Sequence, residues 1–430
     1  MPRRASVVLA LACALLAALA PLAHAGWRRK IERAVGHRSV GVAVRLDGRV
    51  LYRHDDRDKR VPASNEKLLL SMALLEELPA DYRFRTIAAG NFAGGVVNGN
   101  LWLIGRGDPT VTAGGRYTKS LPYEPTRLGA LARAIKRAGI ERIKGSVAGS
   151  TGYFARDWYA QGWKSDFAAE EVPLPTALTL DYNRVGDQHV RDPERRAAES
   201  LSRKLRTLGV HVRDRATTGK APVGLPRIAA VESDALGTLM KYMNRTSMNF
   251  FAEMFGKRLG LERHGRPGTI AKGAAAIREW AGRNGVTISS YDSSGLSYSN
   301  RVSPRGVAKL IDVVDDEPWA NELRFSLAGA GQGTLEDRLR GVRLRAKTGT
   351  LTDVSTLSGW VWLNQIDDWG YFSIMSRGMD KSRAAAIEDR IVRVLHEYAR
   401  PASVPLRSDD EGSAIALDEQ ELVVASPNQI

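Results

Sequence analysis

PASNEKLLLSMALL, residues 62–75, sets a serine and a lysine three positions apart at the mouth of a segment that is otherwise almost wholly apolar. Leu68, Leu69, Leu70, Met72, Ala73, Leu74 and Leu75 leave almost no polar face, so the pattern predicts a helix buried in a core rather than one lying on a surface. A separation of three puts the Ser64 and Lys67 side chains on the same side of its first turn. A lysine kept from water gives up its proton near neutral pH and can act as a base. The neighbouring hydroxyl then becomes a nucleophile, helped by the positive end of the helix and its free amides. In the plainer reading Ser64 caps the helix and Lys67 extends to solvent. S-x-x-K recurs by chance on the order of once in a chain of this length, so the pair alone decides nothing.

Two further motifs change that balance. RTSMNFFAEMFGKRLG holds Ser247-Met248-Asn249 at the head of a second helical segment, and RLRAKTGTLTDVSTLSGWVWL holds Lys347-Thr348-Gly349 within β-rich sequence. S-x-x-K, S-x-N and K-T-G in this order are the signature of serine acyl-transferases that act on penicillins and D-alanyl peptides. S-x-x-K and K-T-G occur nowhere else in the chain, and the second S-x-N, Ser426-Pro427-Asn428, follows K-T-G in the last residues and is read as coincidence.

The stretch between Lys67 and Ser247 is longer than small lactamases allow. It contains LWLIGRGDPTVT (101–112) and PLPTALTLDYNRVG (173–186), and YDSSGLSYSNRVSP (291–304) follows Asn249. With the three motifs these segments resemble the class C, low-molecular-mass penicillin-binding proteins of the D-alanyl-D-alanine carboxypeptidase and endopeptidase type, from about Val40 to about Tyr398. Met248 stands where members often carry a polar residue, and YDSS replaces a more usual glycine-containing version, for which a slightly different turn is expected.

The resemblance implies an α/β (α+β) fold: a β-lactamase/transpeptidase-like antiparallel sheet flanked by helices, with a large β-rich insertion between the first and second motifs. It implies that Ser64 attacks the carbonyl of the penultimate D-alanine to give an acyl-enzyme while Lys67 takes its proton. Ser247, facing Lys67 across the cleft, would relay a proton to the departing amine, and Asn249 would hold the substrate and the lysine. Lys347 would attract a terminal carboxylate and disfavour a proton on Lys67, and Thr348 would bind that carboxylate. Gly349 lets the strand approach closely, and the N–H groups of Ser64 and Thr350 would receive the developing oxyanion. On an edge strand, K-T-G could take a peptide as an added strand. Peptidoglycan stem peptides are the implied substrate and β-lactams the implied covalent inhibitors, with no cofactor.

Composition agrees with an exported globular protein. A chain of 430 residues suggests two or three domains, and 43% apolar and 26% charged residues are ordinary for a soluble fold. Arg3 and Arg4, the apolar run Val7–Leu19 and the small residues of PLAHA read as a signal cut before Gly26, which directs the chain to the periplasm. The one cysteine, Cys13, lies inside it, so the mature chain has no disulfide. Losing Arg3 and Arg4 takes the formal charge from +15 to +13. Export argues against a nucleic-acid partner, leaving a solubilising charge or an anionic envelope surface. A non-enzymatic envelope-binding protein would need none of Ser64, Lys67, Ser247 and Lys347, and a β-lactamase on the same scaffold would need rapid release of the acyl group. The histidines are scattered without H-x-x-x-H spacing, and neither G-x-S-x-G nor a P-loop is present.

The expected catalytic domain is discontinuous, 26–84 and 235–400. It combines the Asp47-Gly48 hairpin, the motif helix, strands around LRAKTGTLT, STLSGWVWL and WGYFSIMS, and a helix from about Arg383 to Tyr398. Residues 85–234 form the insertion, divided into 85–112 plus 170–234 and a second piece, 113–169. Within it RLGALARAIKRAG is a basic amphipathic helix, read as packed on a small sheet in preference to touching the wall. Residues 401–430 read as an acidic tail.

Overall fold

Asp47 and Gly48 both hold positive φ, 44° and 75°, and join the strands Val40–Leu46 and Arg49–His54, with Leu46 paired to Arg49. Such two-residue turns match the twist of an antiparallel pair. The computed structural model describes residues 26–401. The expected signal, 1–25, and all but the first residue of the expected tail lie outside the described residues.

The hairpin forms one edge of a five-stranded sheet that continues through Asp368–Arg377 and Val354–Leu363 to Leu344–Leu351, antiparallel throughout. Val40 pairs with Ser376 and Arg45 with Tyr371, so the two ends of the chain meet in mid-sheet. The strand bearing K-T-G is the opposite edge. Alternation assigns the two faces. Leu357, Val361 and Leu363 pack with Trp27 and Ile31 of the helix at 26–35 and with Ile391 and Leu395 of the helix Lys381–Tyr398, while Trp360 points into the core on the other side. The last helix starts at Lys381, two residues before the sequence expectation, because the Asp380 carboxylate accepts from the Arg383 N–H as an N-cap.

The motif helix, Glu66–Glu77, is buried from Glu66 through Leu75. It stops where Pro79 forces Leu78 into the extended region, φ −133° and ψ 130°. A 3₁₀ turn, Ala63–Asn65, leads into it, and Ser64 sits on that turn rather than in the α-helix proper. Asn65 does not cap the helix. Its amide crosses to the Ser358 hydroxyl at 2.7 Å, tying the turn to the sheet. The helices Asn249–His264, Ile270–Arg283 and Pro304–Val314 complete this core.

Paired strands Arg83–Ala89 and Arg227–Ala235 carry the chain out to the insertion and back. They belong to a mixed five-stranded sheet with Leu101–Gly105, Val147–Ser150 and Thr217–Gly219. The expected separation of 113–169 from the rest of the insertion is not found. Strand Val147–Ser150 lies between Leu101–Gly105 and Thr217–Gly219, and the helix Leu128–Arg137 shares one core with the helix Pro193–Thr207. Tyr153, Phe154 and Trp163 instead pack toward the catalytic body. The strands involved are three to five residues long and pair in parallel across distant sequence, which leaves no local periodicity to read. Leu128, Leu131 and Ile135 of the basic helix are buried. Among the described residues no helix is long and apolar enough to cross a membrane.

Candidate active site

The 3₁₀ turn, the break between two helices and the K-T-G strand converge on one cleft. Ser247 ends the helix Leu236–Thr246 in the left-handed conformation, φ 58°, and Met248 is the extended N-cap of the next helix. This reversal delivers Ser247 and Asn249 from the junction of two helices, at the helix head where the sequence reading put them.

Lys67, fully buried, donates to the Ser64 Oγ at 3.0 Å, the Asn249 Oδ1 at 2.8 Å and the Ser294 carbonyl at 2.6 Å. An ammonium has three donors, so the set is saturated. Burial pushes the Lys67 pKa down to about 8, against the pull of the Asp292, Glu253, Glu171 and Glu66 carboxylates. Asn249 is held in turn by its Nδ2 donating to Glu171 at 3.2 Å.

Lys347 lies on the sheet side. It is fully buried, donates to the Ser247 Oγ at 2.9 Å and to the Thr348 carbonyl at 2.8 Å, and burial followed by the charge of Lys67 sets its pKa well below that of an ordinary lysine. Ser247 is thus anchored from Lys347, a contact the sequence reading did not include. The Thr348 hydroxyl donates to that of Thr334 at 2.7 Å, and Thr350 is exposed near the end of the edge strand. A Cβ on Gly349 would lie 2.3 Å from the Thr356 Oγ1 and 2.9 Å from both the Pro62 carbonyl and the Ser64 nitrogen. The strand and the serine turn therefore touch backbone to backbone.

Four acidic groups around Lys67 escaped the sequence reading. Glu253 lies one turn past Asn249 and accepts from the successive amides of Ser293 and Ser294 at 3.1 and 2.8 Å. Burial raises its pKa to about 7. Asp292 organises the loop quoted as YDSSGLSYSN, accepting from Ser294 Oγ, Gly295 N, Ser297 N, Asn300 Nδ2 and Trp163 Nε1 at 2.7 to 3.2 Å. Glu66, bonded by the Ser290 hydroxyl, is raised by burial to about 8. Glu171 is the exposed partner of Asn249. Gly295, at φ 83°, presses this loop on the serine turn, since a Cβ there would meet the Ala63 carbonyl at 1.9 Å. Only the unusual density of serine and asparagine in 290–300, which suits side-chain-to-backbone bonding, hinted at such a loop.

Comparison with known proteins identifies relatives of this chain. The family model described as D-Ala-D-Ala carboxypeptidase 3 (S13) matches residues 30–189 and 186–398. A D-alanyl-D-alanine carboxypeptidase from an Actinomadura species is 27% identical, covering 86% of this chain and 82% of that protein. A carboxypeptidase of Mycobacterium tuberculosis is 28% identical over 73% of this chain and 70% of its own. In fold the chain is similar to penicillin-binding protein 4 of Haemophilus influenzae, with a TM-score of 0.73 at 18% identity, covering 86% of this chain and 99% of that one. It is also similar to a predatory endopeptidase of Bdellovibrio bacteriovorus, with a TM-score of 0.53 at 19% identity over 86% and 98%. Because the family match runs through both halves of the sheet, the insertion and all three motifs, the chain belongs to the D-Ala-D-Ala carboxypeptidase 3 (S13) family.

Proposed function

We propose that this protein is a serine-type D-alanyl-D-alanine carboxypeptidase and D,D-endopeptidase, working on peptidoglycan stem peptides through an acyl-enzyme on Ser64. The observation that carries the reading is the 3.0 Å contact between the Ser64 hydroxyl and a buried lysine whose proton is held weakly. The Ser64 Oγ forms a bond to the carbonyl carbon of the penultimate D-alanine, and its proton passes to Lys67. The carbon–nitrogen bond then breaks, and the proton goes to the departing amine by way of Ser247. Asn249 orients Lys67, and Lys347 and Thr348 receive the terminal carboxylate. The N–H groups of Ser64 and Thr350 stabilise the oxyanion, and water later releases the acyl group. The peptide lies along the free edge of the strand Leu344–Leu351. The N-terminal segment directs the chain to the periplasm, where stem peptides are the substrate.

Intact-mass analysis after incubation with benzylpenicillin tests this reading. A persistent adduct, mapped to the peptide holding Ser64, is expected. An adduct that vanishes with rapid drug hydrolysis would mean a β-lactamase, and no adduct at all would mean a binding protein.

The acylation rate should depend on pH in a definite direction. Lys67 accepts a proton only as the free amine, so the second-order rate with benzylpenicillin should rise through about pH 8 and level off above it. Glu253 ionises at about 7 and its negative charge favours the ammonium, which makes the rise shallower than that of an isolated group. A rate that stays flat between pH 6 and 10 would remove Lys67 from the base role.

A further inference from the structure

Outside the cleft, the junction of the insertion and the catalytic body forms an open cavity of about 510 Å³. Its lining sets Arg83, Arg85, Arg106 and Arg258 against the carboxylates of Asp81 and Glu232, with Tyr82 and Tyr153 between them. Three guanidinium groups converge on Tyr153, whose side chain is buried: Arg106 at 4.7 Å and Arg266 at 4.6 Å from the ring centroid, and Arg258 donating to the phenol oxygen at 3.0 Å. Arg258 is 8% exposed, pairs with Glu262 and lies over the Tyr82 ring, yet its Nε is buried without a partner. Arg85 is matched by Glu232 at 2.8 Å. Among the described residues, neither Arg106 nor Arg266 has an ion-pair partner.

Like charges gathered on one ring repel. The ring quadrupole offsets part of that repulsion, on the order of 0.5–2 kcal/mol for each cation, and an oxyanion held between the guanidinium groups would offset much more, since such contacts are charge-assisted and can be bidentate. The cavity lies on the helix that begins with Asn249. Arg258 is nine residues further along, roughly 14 Å at 1.5 Å per residue, a span that about four extended residues cover. Arg106 comes from LWLIGRGDPTVT, a stretch to which the reaction itself gives no role.

We propose that this cavity is a second substrate site, which takes a carboxylate of a peptidoglycan stem peptide other than the one being cleaved and holds polymeric wall against the enzyme. Arg106 grips the carboxylate from the cavity wall, Arg258 backs it, Arg266 adds its positive charge through its place on the Tyr153 ring, and Tyr82 and Tyr153 supply the aromatic floor. The inference rests on the peptidase reading for the identity of the polymer, while the anion site itself stands on the arginine geometry.

The test uses the full mature chain and purified sacculi. In the double variant Arg106→Ala/Arg266→Ala, acylation by benzylpenicillin and hydrolysis of a short soluble D-alanyl-D-alanine peptide should be unchanged, while the dissociation constant for sacculi rises about tenfold, the equivalent of about 1.4 kcal/mol. The control Arg133→Ala/Arg137→Ala removes the same charge from an exposed helix face and should leave sacculus binding as it was. Unchanged binding in the double variant overturns the proposal, as does an equal loss in the control or a loss seen only with anionic phospholipid vesicles. If the double variant misfolds, the single change at half-buried Arg106, which lines the cavity, carries the same test, with an expected weakening of about threefold. If the native chain is neither acylated nor active on the short peptide, the peptidase reading fails, and sacculus binding still reports on the cavity.

Discussion

Ser64→Ala is expected to abolish the penicillin adduct and to lower hydrolysis of D-alanyl-D-alanine peptides by roughly 10⁴ to 10⁶-fold, the range found when a serine nucleophile is removed from an otherwise intact site. The fold should scarcely notice. Lys67 keeps its bonds to the Asn249 amide oxygen at 2.8 Å and the Ser294 carbonyl at 2.6 Å, so a single hydroxyl contact is lost, worth about 1 kcal/mol. The variant should therefore melt as a cooperative unit close to the native midpoint. Intact mass after prolonged incubation with benzylpenicillin and the steady-state rate on a short peptide would be measured side by side. An adduct of the same mass forming on the variant at a comparable rate would place the nucleophile elsewhere.

Gly349→Ala should cost both activity and stability, and for one steric reason. Real Cβ atoms essentially never sit within 3.0 Å of another heavy atom, and here three lie at 2.3 to 2.9 Å. The Thr356 hydroxyl, the nearest of them, also donates to the Pro62 carbonyl at 2.9 Å, which holds the serine turn against the sheet. The added methyl must drive the edge strand away from the turn bearing Ser64. A displacement near 1 Å between nucleophile and binding strand is worth about 10²-fold in rate, and overpacking costs about 1–3 kcal/mol. Adding Thr356→Ala removes the closest atom but leaves the Pro62 carbonyl and Ser64 nitrogen in place. The double variant should thus regain part of the stability and little of the acylation rate. Native acylation by Gly349→Ala alone would show that the approach of strand and turn has no bearing on the chemistry.

Much of the site was legible because its parts are local. A separation of three brings Ser64 and Lys67 to one side of the turn, whether 3₁₀ or α, and Asp47-Gly48 demands a turn with φ above zero at both positions, as found. Alternation along STLSGWVWL sends Leu357 and Trp360 to opposite faces of a sheet, as a period of two requires. The order of S-x-x-K, S-x-N and K-T-G indicated the family. The acidic surround of Lys67 was not legible in the same way. The carbonyl that accepts its third proton belongs to Ser294, 227 positions away, and a main-chain oxygen carries no trace of residue type.

What the sequence by itself determined is the chemistry available: a serine beside a lysine on a buried helix, a second serine and an amide, and a glycine-bearing basic strand. Side-chain identity and helical spacing are local properties, so they survive without knowledge of the fold. Only the tertiary structure decided how those groups are poised. It closed the sheet by pairing residues 40–46 with 368–377, and it set Ser247 in the left-handed conformation between two helices. It also tied Ser247 to Lys347, drew Glu66, Glu253 and Asp292 beneath Lys67, and gathered three arginines around Tyr153. Desolvation and long-range pairing cause all of these, and both depend on which distant segments pack together, a quantity that no short window of sequence contains.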